Sequence, residues 1–64
     1  MAEFKISLKA ARINAEMTQT DVAAKIGVLR DTIGRWENGQ TKPRMDQMAK
    51  MSELYQIPVE KLKV

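Results

Sequence analysis

Apolar residues recur along this chain of 64 residues at steps of three and four, and no apolar–polar alternation lasts long enough for a strand. Leu8, Ala11, Arg12 and Ala15 make the first stripe, with Ile13 at its edge, and Ser7 stands where a helix N-cap belongs. Residues 14–17 leave that helix. Thr18 opens a second one, and Asp21 three positions on makes a weak form of the capping box. Val22, Ala23 and Ile26 are its inward residues. Gly27 ends it, because a left-handed C′ position suits glycine. A third helix runs over 30–37 with Ile33 and Trp36 inward, and Asn38-Gly39 is its stop signal. Residues 40–44 form a polar loop in which Pro43, lacking an amide donor, suits the entrance of the next helix. The fourth helix covers 45–55, with Met45, Met48, Met51, Leu54 and Tyr55 as its apolar face, and Gln56 closes it. Ile57-Pro58 restarts the chain into a short fifth helix over 59–62. The expected fold is all-α: a compact bundle of five short helices, in one domain over 1–64, without repeats and with fraying ends.

Composition narrows the chemistry. There is no Cys and no His, which removes the thiol nucleophile, the imidazole base, the Cys/His zinc site and the disulfide framework. No tight carboxylate cluster replaces them, so the chain does not read as an enzyme, and no metal, cofactor or small-molecule ligand is expected. With 44% hydrophobic and 30% charged residues the chain reads as globular. A domain this small then depends on regular helix packing alone. No apolar run is long enough to span a membrane, and the opening MAEFKIS has no long apolar core, so a cytoplasmic location is expected.

The net charge of +3 is modest, but its position is informative. Lys5, Lys9 and Arg12 are balanced by Glu3, Glu16 and Asp21, and Lys50, Lys61 and Lys63 by Asp46, Glu53 and Glu60. The middle of the chain sets Lys25, Arg30, Arg35, Lys42 and Arg44 against Asp31 and Glu37, so the whole excess lies there. A localised basic patch suits an anionic partner such as a phosphate backbone, although scattered surface charge would give the same sum.

The decisive stretch is residues 18–39, TQTDVAAKIGVLRDTIGRWENG. Two short helices meet through a three- to four-residue turn containing Gly27. Ala23 lies where they approach most closely, so a larger side chain would push them apart. Val22, Ile26, Val28, Ile33 and Trp36 tie the pair to the core. Trp36 is assigned to packing because duplex bases are already stacked, and the Met residues of the fourth helix are assigned to core filling. One face of the third helix is then left with nothing apolar to bury: Arg30, Asp31, Gly34, Arg35 and, at its end, Asn38. A helix of that kind fits the major groove, whose base edges offer partners to such side chains.

On these residues the chain resembles the phage repressor and Cro-like helix-turn-helix family, also called the XRE family. The resemblance rests on Leu8, Arg12, Thr18-Gln19, Ala23, Gly27-Val28, Ile33, Trp36-Glu37-Asn38-Gly39 and Pro43, with Leu54-Tyr55, Val59 and Leu62 in the tail. It covers about 7–62, and the Trp-Glu-Asn-Gly ending makes it more specific than a helix-turn-helix pattern alone. It implies the lambda-repressor-like fold and sequence-specific binding to double-stranded DNA at a palindromic or pseudo-palindromic operator. It also implies a homodimer, at least on DNA, and control of transcription, most simply as a repressor.

Carried over by position, the resemblance puts Arg30, Asp31 and Arg35 at base-reading places. It puts Thr18, Gln19, Leu29, Thr32, Asn38, Gln40 and Lys42 among the residues that position the domain on phosphates, and it pairs Arg12 with Glu37. Three residues depart from the family pattern. Leu29 occupies an N-cap where Ser or Thr is usual, Gly34 lies inside the third helix, and Arg44 replaces the usual acidic or Ser cap of the fourth. Gly34 either allows close approach to the groove or is merely tolerated. Asp31 either accepts a hydrogen bond from cytosine N4 or, four residues from Arg35 on one face, orients that guanidinium. A helical protein-interaction module, antitoxin-like or an adaptor, is the alternative function, with Leu29, Ile57, Val59 and Val64 as its docking surface.

Overall fold

The computed structural model describes residues 4–64. Residues 1–3 lie outside it, and with them Glu3 of the charge balance and the first positions of the proposed single domain. Four α-helices follow in order: α1 (Leu8–Asn14), α2 (Gln19–Ile26), α3 (Arg30–Glu37) and α4 (Met45–Tyr55). Their starts follow from local chemistry. Ser7 accepts the Ala10 amide at 3.1 Å and caps α1. At α2 the capping box is complete: the Asp21 amide donates to Thr18 Oγ1 at 3.0 Å, and the Thr18 amide donates to Asp21 Oδ2 at 2.9 Å. At α4 the Arg44 guanidinium cannot accept a hydrogen bond and caps no first-turn amide; only the reverse half of the box forms, the Arg44 amide donating to Gln47 Oε1 at 2.8 Å. α3, whose N-cap is Leu29, likewise begins with no side-chain cap.

The expected fifth helix is a single 3-10 turn, Val59–Lys61. Leu62 leaves the turn in the extended conformation, with φ −87° and ψ 127°, so the helix does not go on. The chain becomes extended instead, and β2 (Leu62–Lys63) pairs in parallel with β1 (Ile6–Ser7). Leu62 is buried in the core. The fold is thus mostly helical, with four helices rather than five and a two-stranded clasp between segments near the chain ends.

One core unites the described residues: Leu8 and Ala11 of α1, Val22, Ala23 and Ile26 of α2, Ile33 and Trp36 of α3, Met48, Met51 and Tyr55 of α4, and Leu62. Two apolar assignments fail. Met45 is 77% exposed, because it is the first residue of α4 and the helix meets the bundle only from Met48 on. Ile13, at the end of α1, is also exposed. Ile57 and Val59, assigned above to a docking surface, pack against the core, which leaves Leu29 and Val64 of that set exposed.

Candidate nucleic-acid interface

The turn between α2 and α3 is built on Gly27, whose φ of +89° is the left-handed conformation that favours glycine. The Gly27 and Val28 amides both donate to the Ala23 carbonyl, at 2.8 and 3.0 Å. Ala23 itself is buried, as its place at the helix approach requires. Ile33 and Trp36 fix α3 by one side, and Arg30, Asp31, Arg35 and Asn38 are left exposed. The face expected to carry no apolar burden therefore exists.

Backbone hydrogen bonds extend this surface past the helix. The Asn38 amide donates to the Gly34 carbonyl at 3.0 Å and the Gln40 amide to the Arg35 carbonyl at 2.9 Å. These hold the following loop, with exposed Gln40 and Lys42, against the end of α3. Thr18 is exposed at the start of α2, and Thr32 is half-buried behind Asp31. Arg30 and Asp31 form a loose, exposed pair at 3.9 Å. Asp31 makes no ion pair with Arg35 among the described residues, so the contact that would orient Arg35 is not formed here.

Beneath the face lies a link between three helices. Arg12 and Glu37 meet fork to fork: Nε donates to Oε2 at 2.7 Å and Nη2 to Oε1 at 3.2 Å. Their side chains are only 11% and 3% exposed. The third arm of Arg12, Nη1, donates to the Met17 carbonyl at 2.9 Å and so closes the α1–α2 turn. The hydrogen bonds to Glu37 raise the Arg12 pKa against the opposing effect of burial.

Gln19 completes the link. Its Nε2 donates to Glu37 Oε1 at 3.0 Å. Its amide lies over Gly34, where an added Cβ would meet Nε2 at 3.8 Å and Oε1 at 3.9 Å. Sequence reasoning found Arg12–Glu37 but missed Gln19–Glu37. The available signal was capacity: a carboxylate has about four acceptor positions, and a two-pronged Arg leaves some of them open.

Tyr55 borders the same link. Its Oη is buried and has no hydrogen-bond partner among the described residues. Burial, reinforced by the negative charge of Glu37 and opposed by Arg12, pushes its pKa up to about 12.

Residues 8–62 match the model of the helix-turn-helix family. The chain belongs to this family, in its XRE-type branch. Two curated members of known role are similar to this helix-turn-helix chain. It is 28% identical over 60 residues to the HTH-type transcriptional activator BcrR of Enterococcus faecalis, covering 94% of this chain and 29% of that protein. It is 27% identical over 59 residues to the cryptic phage CTXphi transcriptional repressor RstR of Vibrio cholerae, covering 92% of this chain and 53% of that protein. The chain thus spans about half, or less, of the length of these relatives. No solved structure matches it. Among the described residues no helix is long and apolar enough to cross a membrane, and no group of His, Cys, Asp or Glu could hold a metal ion.

Proposed function

We propose that residues 1–64 are a single domain that binds double-stranded DNA sequence-specifically in a cytoplasmic transcriptional regulator, acting as a repressor with α3 in the major groove. The observation that carries this reading is the two-sidedness of α3. Ile33 and Trp36 are buried on one side, and Arg30, Asp31 and Arg35 are exposed on the other. Arg30 and Arg35 read base edges, with guanine O6 and N7 as the natural partners of a guanidinium. Asp31 lowers affinity for any DNA by repelling phosphates and returns specificity by accepting from cytosine N4.

Lys42, Gln40, Asn38, Thr18 and Thr32 position the domain on the backbone. Gln19 does so with the second amide hydrogen that Glu37 leaves free. Two copies read the halves of a palindromic operator about one helical turn apart. Repression is the simpler mode because occupancy alone suffices for it.

The test is a salt titration of binding to random duplex DNA. Contacts to several phosphates make log Kd rise with log salt, with a slope of about 0.9 per phosphate neutralised. A slope near zero would instead favour the protein-interaction module, for which the exposed Leu29 is the best anchor.

A further inference from the structure

Leu29 combines three features that do not belong together in a structural residue. It is the N-cap of α3, it is 75% exposed, and it provides no side-chain cap. Ser, Thr, Asp or Asn there would cap the helix and remove an apolar group from water. The backbone at Leu29 is well fixed, with its carbonyl accepting the Thr32 amide at 3.0 Å and the Ile33 amide at 3.4 Å. Its neighbours Val28 and Ile33 pack into or against the core, whereas Leu29 does not. The side chain is therefore held outward on a rigid stem, next to exposed Arg30 and Asp31.

A Leu side chain has no hydrogen-bond donor and cannot hold a phosphate, so only its backbone could serve the positioning role assigned by family position. The N-terminal end of a recognition helix is the end that contacts base edges. Those edges are polar with one exception in the major groove, the C5-methyl of thymine. We propose that Leu29 is a specificity-determining residue that packs against the 5-methyl group of one thymine in the operator, next to the base read by Arg30. This rests on the DNA-binding reading above.

The experiment starts from an operator recovered by selection with the whole chain. Each thymine is replaced singly by deoxyuridine, which keeps every hydrogen-bonding group and lacks only the methyl. One replacement is expected to weaken binding about fourfold, the worth of one buried methyl. Leu29→Ser should lose at least as much on the intact operator and become insensitive to deoxyuridine at that position. Leu29→Met should restore both the affinity and the sensitivity. Leu29→Ser should melt no lower than the parent, because it adds a cap, so the loss is not one of folding.

The proposal is overturned if no thymine responds, or if Leu29→Ser keeps the parent's response at every thymine. Unchanged DNA binding by Leu29→Ser would return Leu29 to the role of a protein contact. Failure of the selection to enrich any sequence overturns the DNA-binding reading as well, and so differs from failure at Leu29 alone.

Discussion

Removing one partner of the Arg12–Glu37 pair leaves a charge in a place that water barely reaches. Arg12→Met is expected to cost about 3–5 kcal/mol in urea denaturation, a large share of the stability of a domain this small. Arg12→Met with Glu37→Met should cost clearly less than the sum of the single changes, since no orphan charge remains. Additive losses in urea denaturation would show that the pair acts only through packing. Tyr55 gives a second, pH-dependent expectation. Its folded pKa is about 12, above the ordinary tyrosine value of 10.0. Below pH 10 both states keep the proton and the group has no effect on the pH dependence. Above it the unfolded chain deprotonates first, so stability falls as pH rises from 10 towards 12. Tyr55→Phe should flatten that loss relative to the parent. At neutral pH it should be neutral or stabilising by up to about 1 kcal/mol, since it removes a buried hydroxyl without a partner. An unchanged alkaline profile would contradict the assignment.

At the scale of elements, Gln56 ends α4 in the left-handed conformation, with φ +57°. A side chain in that conformation carries a penalty that glycine avoids, so Gln56→Gly should raise the unfolding free energy by about 1 kcal/mol in chemical denaturation. Gly34→Ala should also stabilise, by up to about 1 kcal/mol, because α3 gains helix propensity and the new Cβ meets only the Gln19 amide at ordinary contact distance. A lower melting temperature for Gly34→Ala would mean that the Gln19–Glu37 link cannot absorb it. The elements differ in how far the chain alone reveals them. α2 and α3 are legible to the residue because Thr18, Asp21, Gly27 and Asn38 are local signals that act within one turn. The clasp between Ile6–Ser7 and Leu62–Lys63 has no such signal, since its partners lie at opposite ends of the chain and each contributes two residues. Met45 looked like core because it shares the helical spacing of Met48, and periodicity does not tell where along a helix the bundle begins. Of the candidate site, the exposed face of α3 follows from which residues the core takes. The place of Gln19 over Gly34 needs the α2–α3 angle, which no spacing encodes.

For the molecule as a whole, the basic excess and the exposed face of α3 come from the same stretch of chain. Glu37, one of its two acids, is withdrawn from the surface by Arg12, so the exposed balance near α3 is more positive than the sequence sum suggests. Lys42 is exposed on the loop after α3 and is expected to meet a phosphate. Lys42→Ala should weaken binding to all duplexes alike and lower the salt slope by about one unit. Arg35→Ala should instead lose about 1–3 kcal/mol at one base pair and leave affinity for random DNA nearly unchanged. The most direct test of sequence-specific recognition through α3 is binding-site selection with this chain. It is followed by the affinity ratio of the selected duplex to a scrambled one at physiological salt, for the parent and for Arg35→Ala. The expected result is an enriched palindromic site bound about 10³-fold more tightly than its scrambled counterpart, with the preference relaxed at one position per half-site in Arg35→Ala. A selection that enriches nothing, or a ratio near one that Arg35→Ala does not change, would contradict it.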